Sequence, residues 1–181
     1  DSNNAHWATE YNRSYLKKYN AGGKLLKEIR GGGGSGQQQF RYPGKVAVDS
    51  GDNVYFIDTG NKRILSYDSS GNWRCTSSTF PNNSTHIYAD LEVTPSDSIV
   101  VNQSGVTYIY DTGCSLKSTI TPDPNYYNSI GPHAIDQNNK SYYFDNNTKV
   151  LTRFDNSVTY FMQVEKTEAN LTHKSSLGSP Y

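Results

Sequence analysis

The chain has 181 residues, enough for one domain or a piece of a larger one; it carries 17 basic and 17 acidic residues, and is rich in Tyr (15) with only 19% charged residues. Balanced charge excludes a net field that would draw the whole chain to nucleic acid or to an anionic membrane, and no apolar run reaches the roughly 18 residues a membrane span needs. The opening DSNNAHW has neither the basic nor the apolar region of a signal peptide, so the chain is expected to be soluble, with any targeting segment already removed.

Taken in chain order, residues 6–10 read as a strand, and YLKKYNAGGKLLKEI reads as strand, turn and strand. A helix there would carry Gly22 and Gly23 in its middle, at about 1 kcal/mol each relative to Ala. The run RGGGGSGQQQF (residues 30–40) lacks the Lys-Ser/Thr of a phosphate-binding loop and opens no helix, and is expected to be a flexible connection. Next come four short strands, 45–48, 54–57, 63–67 and 73–76, separated by DSGDN, DTGNK and DSSGN, clusters that supply turn geometry.

These strands belong to a repeat. An Asp or Asn closes the third apolar run of each copy at Asn20, Asp68, Asp111 and Asp155, with spacings of 48, 43 and 44 residues. Residues 10–20 (EYNRSYLKKYN), 58–68 (DTGNKRILSYD) and 145–155 (DNNTKVLTRFD) align without a gap, and 102–111 (NQSGVTYIYD) with one deletion. Turns this short permit only antiparallel meanders. A lone four-stranded meander cannot cover both its faces, so copies must stack, and a period near 40–45 with four strands per copy predicts an all-β fold, a β-propeller of four-stranded blades. The blades fall near 5–36, 37–80, 85–122 and 126–168, with 169–181 leading into a further one.

The stretch FRYPGKVAVDSGDNVYFIDTGNKRI resembles an NHL repeat, through Pro43, Ala47, Asp49, Asn53, Tyr55, Asp58, Asn61, Arg63 and Ile64. Copies one and four carry the pattern recognisably, whereas copy three has lost the Asp-Thr-Gly-Asn turn and the Arg. The resemblance implies a propeller of about six blades, of which this chain supplies four at most. The first copy opens at its second strand, so its inner edge needs a cover: a longer parent chain, closure into a small ring, or head-to-tail pairing of copies, which gives a filament when the rotation does not close.

Asp58, Asn61 and Arg63 are expected to be structural, the Asp capping turn N–H groups and the Arg lying across a neighbouring blade as a polar staple. Some NHL propellers are lyases that hold a metal through histidines near the axis, which makes His133, with His86, a weak metal candidate; no catalytic residue and no cofactor is assigned. Some bind RNA, and Lys17, Lys18, Lys24, Lys27 and Arg30 form the single cationic cluster, but strand alternation scatters them between two faces. Cys75 sits in an outer strand and Cys114 in a turn of the next copy. Their Cα atoms need not come within the roughly 7 Å that bridging requires, so the disulfide is left open.

Asn-x-Ser/Thr occurs at Asn12, Asn82, Asn83, Asn102, Asn139, Asn146 and Asn170. Six of the seven, all but Asn139, fall in connections that emerge on one face of a disc of meander blades. N-linked glycans on that face suit an extracellular protein that is a structural or interaction module, its partner another protein, a carbohydrate or further copies of itself. A fragment of a propeller lyase or hydrolase is the alternative.

Overall fold

A computed structural model describes residues 1–80, 89–103, 106–120, 130–135, 141–145, 150–155 and 158–163. The chain forms two compact units, Asp1–Thr121 and Pro122–Tyr181. Among the described residues there is no α-helix and hence none able to cross a membrane.

In the first unit β1 (His6–Glu10), β2 (Tyr15–Tyr19) and β3 (Leu25–Arg30) form a three-stranded antiparallel sheet, with one 3-10 turn, Tyr11–Arg13, between β1 and β2. A four-stranded meander follows: β4 (Pro43–Val48), β5 (Val54–Asp58), β6 (Arg63–Tyr67) and β7 (Trp73–Thr76). The third sheet is β8 (Ala89–Val93), β9 (Ile99–Gln103), β10 (Val106–Tyr110) and β11 (Leu116–Ile120). The second unit holds one such meander, β12 (Ile130–Ile135), β13 (Ser141–Asp145), β14 (Val150–Asp155) and β15 (Val158–Gln163).

Among the described residues of the first unit one turn design recurs six times, opening at Asp1, Asn20, Asp49, Asp68, Thr94 and Asp111. The carbonyl of the opening residue accepts the N–H three residues on, at 2.8 to 3.1 Å. Its side-chain oxygen accepts the N–H four residues on, at 2.8 to 3.0 Å. The fourth position is left-handed in every copy, occupied by Asn4, Gly23, Asp52, Gly71, Asp97 and Cys114. The acceptor side chain thus caps donors that the tight reversal would leave without a partner, which explains why an Asp or Asn marks the sequence period.

The first three sheets pack face to face. Along β5 the side chains alternate between two cores. Val54 and Phe56 join Leu65, Tyr67, Phe40 and, from the first sheet, Trp7 and Leu16; Tyr55 and Ile57 join Ile64 and, from the third sheet, Leu91, Ile99, Val101, Tyr108 and Tyr110. All five residues of β5 are therefore buried. A sheet covered on both faces reads as a continuous apolar run, and VYFI is that run.

Candidate functional site

Three of the NHL-motif side chains, Asp58, Asn61 and Arg63, converge at the end of β5. Asp58 is wholly buried, a position a carboxylate tolerates only with its oxygens satisfied. Its Oδ1 accepts the N–H of Arg41 at 3.0 Å, and its Oδ2 accepts Asn61 Nδ2 at 2.7 Å and Arg63 Nε at 3.0 Å. Arg63 then reaches on, donating Nη2 to the carbonyls of Gly36 at 2.7 Å and Gln39 at 2.8 Å. Asn61 donates to the carbonyl of Gly34 at 2.9 Å.

All three acceptors lie in the glycine-rich run. Thr76 Oγ1 donates to Gln37 O at 2.7 Å and the Tyr67 hydroxyl to Gln38 O at 3.1 Å. The expectation of a flexible connection is therefore corrected: the run is clamped to the second sheet through the carbonyls of Gly34, Gly36, Gln37, Gln38 and Gln39. Gly31 is required by close approach, since a Cβ there would sit 2.4 Å from the carbonyl oxygen of Phe40. The staple reaches the connection between blades more than the neighbouring blade itself. Burial raises the Tyr67 hydroxyl to about 12, with the nearby Asp58 charge acting in the same direction.

The seams between sheets repeat as well. The fourth-position Asp of one inner turn takes two hydrogen bonds from a Ser in the inner turn of the sheet before it. Asp52 accepts from Ser2 N–H at 2.7 Å and from the Ser2 hydroxyl; Asp97 accepts from Ser50 N–H at 2.9 Å and from the Ser50 hydroxyl at 2.6 Å. Farther out, Lys18 Nζ donates to Ser69 O at 2.8 Å, while Thr112 O receives the Tyr55 hydroxyl at 3.2 Å and Arg74 Nη1 at 3.4 Å. Burial and the bond to Asp49 raise the Tyr55 hydroxyl to about 12. Sequence reading did not single out Ser2, Ser50, Asp52 or Asp97; a polar residue at the fourth turn position was the available signal.

Cys75 and Cys114 are joined, with Cα atoms 5.9 Å apart, so the outer strand and the next copy's turn do meet, and neither cysteine is free. His6 is exposed on β1, His133 lies on β12, and His86 and His173 lie outside the described residues. Among the described residues no three His, Cys, Asp or Glu side chains converge as metal ligands. Much of the cationic cluster is neutralised at home: Lys17 pairs with Glu10 at 2.6 Å, Lys18 with Asp1 at 2.8 Å and Arg30 with Glu28 at 2.8 Å.

Of the glycosylation candidates, Asn12 is exposed on the 3-10 turn. Asn102 is a correction. It is a strand residue of β9, 7% exposed, with Nδ2 donating to Thr107 Oγ1 at 3.4 Å, and a glycan there is incompatible with the packing. Asn82, Asn83, Asn139, Asn146 and Asn170 lie outside the described residues.

Solved structures similar to this chain include a streptogramin B lyase (12% identity, 89% of this chain and 51% of that one, TM-score 0.67). Virginiamycin B lyase from Staphylococcus aureus matches at 12% identity over 91% and 54% of the two chains, TM-score 0.63. The WD40 β-propeller domain of Doa1 matches at 17% identity over 86% and 48%, TM-score 0.61. The chain has the β-propeller fold. It spans about half the length of these structures, and identity this low establishes the fold alone. No family model matches the sequence, and no curated protein does.

Proposed function

We propose that the chain is part of an extracellular, N-glycosylated propeller of NHL type that serves as a structural or interaction module without catalysis. The observation that carries this reading is the fate of Asp58, Asn61 and Arg63. These are three of the polar residues on which the NHL resemblance rests, and their hydrogen bonds go into holding one another and the backbone, which supports a scaffold role for the motif. The Cys75–Cys114 bond supports an oxidising compartment. The exposed sequon at Asn12 supports glycosylation, with Asn82, Asn83, Asn139, Asn146 and Asn170 as further acceptors. A protein or carbohydrate partner would then meet a surface that glycans leave uncovered.

The test is intact mass and peptide mapping of protein secreted from eukaryotic cells, with and without enzymatic removal of N-glycans. The reading expects hexose-bearing Asn12 and no free thiol. Unmodified Asn12 together with reduced Cys75 and Cys114 would remove the extracellular assignment.

A further inference from the structure

The first and second sheets correspond residue for residue at a constant offset of 48, from Asp1 and Asp49 through Arg30 and Ser78. Their leading faces, the ones turned away from the following sheet, can therefore be compared position by position. In the second sheet that face consists of Val54, Phe56, Leu65 and Tyr67, between 0% and 3% exposed and packed beneath the first sheet. In the third sheet the same face holds Ile99, Val101, Tyr108 and Tyr110, packed on the second.

In the first sheet the counterparts are His6, Ala8, Lys17 and Tyr19. The strand register brings Glu10 opposite Tyr15, Lys17 opposite Glu28, and Arg30 opposite Tyr15 on that face. These residues form one connected network. Lys17 Nζ lies 2.6 Å from Glu10 and 3.7 Å from Glu28; Arg30 Nε lies 2.8 Å from Glu28. Lys17 and Arg30 stand over the Tyr15 ring, 5.4 and 5.3 Å from its centre. Each charge thus has a partner within the sheet.

We infer that the sheet of β1, β2 and β3 is a cap against self-association, whose leading face is built to stay in water and does not seat a second copy of this chain. Packing an apolar blade face there would strip water from Lys17, Glu10, Glu28 and Arg30, four ionised groups, and return no contact that they lack. The arrangement is that of a terminal repeat in a stacked-repeat protein, polar on its outer side so that growth stops. Of the ways to cover the first copy's open side, the cap selects against head-to-tail filaments.

Sedimentation equilibrium of the full chain over a wide concentration range tests the inference against a graft. The expected result is a single monomer mass for wild type, and concentration-dependent association when the second sheet's residues are installed together as His6→Val, Ala8→Phe, Lys17→Leu and Glu28→Thr. Wild-type association that Lys17→Glu abolishes would overturn it, as would a folded graft that stays monomeric. Amine and guanidinium footprinting of native wild-type protein is independent of whether the graft folds: modification of Lys17 and Arg30 supports the cap, and protection of both overturns it.

Discussion

Cys114 occupies the left-handed slot of its turn, φ 63°, where the equivalent outer turns of the two preceding sheets carry Gly23 and Gly71, and its sulfur is bonded to Cys75 on the sheet before. One seam earlier the same two positions are Lys27 and Gly71, which lie so close that a Cβ on Gly71 would fall 2.9 Å from Lys27 Cε. The disulfide therefore replaces a packing contact of the repeat with a covalent one, and accepts a strained backbone position to do so.

Two separable effects follow. Breaking the bond with Cys75→Ala and Cys114→Ala should cost about 4 kcal/mol on the chain-entropy account of a loop this long. Pairing Cys75→Ala with Cys114→Gly should cost about 1 kcal/mol less, because glycine accepts the left-handed backbone freely. Urea midpoints of the two double variants measure the difference. Equal midpoints would mean that the turn relaxes when the bond is gone.

Asp58→Ala should be the most damaging single change in the clamp, at about 3 kcal/mol or more, since it leaves Arg63, whose side chain is 12% exposed, without its carboxylate. Hydrogen exchange adds a local readout. The amides of Gly33, Gln39 and Phe40, which donate within the glycine-rich run, should lose protection before those of β5 and β6. Arg63→Lys should fall in between, because a compact ammonium lacks the planar fork with which Arg63 reaches Asp58 through Nε and two carbonyls through Nη2. Unchanged protection in Asp58→Ala would show that the run holds its own shape.

The strands, the turns and the stacking were legible in the sequence because each depends on neighbours along the chain. The continuous apolar run VYFI and the Asp or Asn that opens most of the hairpins are local, and β6 and β7 fall on the expected residues 63–67 and 73–76. What joins sheets was not legible. The Ser50–Asp97 and Cys75–Cys114 pairings are set by how far one sheet rotates on the next, a quantity with no local signature. The glycine run misled for the same reason: its composition describes a free chain, whereas its order comes from Arg63, Thr76 and Tyr67, at least 24 residues away. Asn102 was misplaced because the third copy is shortened, and alignment put a connection where β9 continues to Gln103.

The inner turns should make stability fall in acid. The Ser50 hydroxyl and N–H hold the Asp97 carboxyl below its ordinary value, and the Ser2 hydroxyl and N–H do the same for Asp52. A carboxyl depressed in the folded state contributes stability above its ordinary value and loses that contribution as pH drops through its folded value. In an NMR titration Ser50→Ala should bring Asp97 back toward an ordinary aspartate while leaving Asp52 where it was. An unmoved Asp97 would mean that the serine is a bystander.

The alkaline limit has a different origin. Burial raises Tyr110 to about 12, with Tyr108 adding to it, and Tyr55 and Tyr67 to about 12 as well. An acid raised in the folded state favours folding while it remains neutral; above the ordinary tyrosine value of about 10 the unfolded chain ionises first and stability declines as pH rises. Unfolding should accordingly coincide with a cooperative step in tyrosinate absorbance, on the order of 2 kcal/mol per buried hydroxyl being lost by the folded values. A gradual titration of all tyrosines near their ordinary value, with the fold intact, would contradict the burial of these three.

Asn12 and Asn102 give opposite expectations for the same sequon. Asn12 stands exposed on the 3-10 turn, and Asn12→Gln should remove one glycan's mass from secreted protein with little change in thermal midpoint, as for most surface substitutions. Asn102 lies buried with its amide donating to Thr107, so Asn102→Gln should leave the glycan mass unchanged and lower the midpoint, because the longer side chain has no room and the hydrogen bond is displaced. The pair separates acceptor chemistry from folding: a transferase reads the tripeptide, but only a turn that stands clear of the sheet tolerates the sugar in the folded protein. A glycan recovered from Asn102 in natively folded material would mean that β9 does not pack as described.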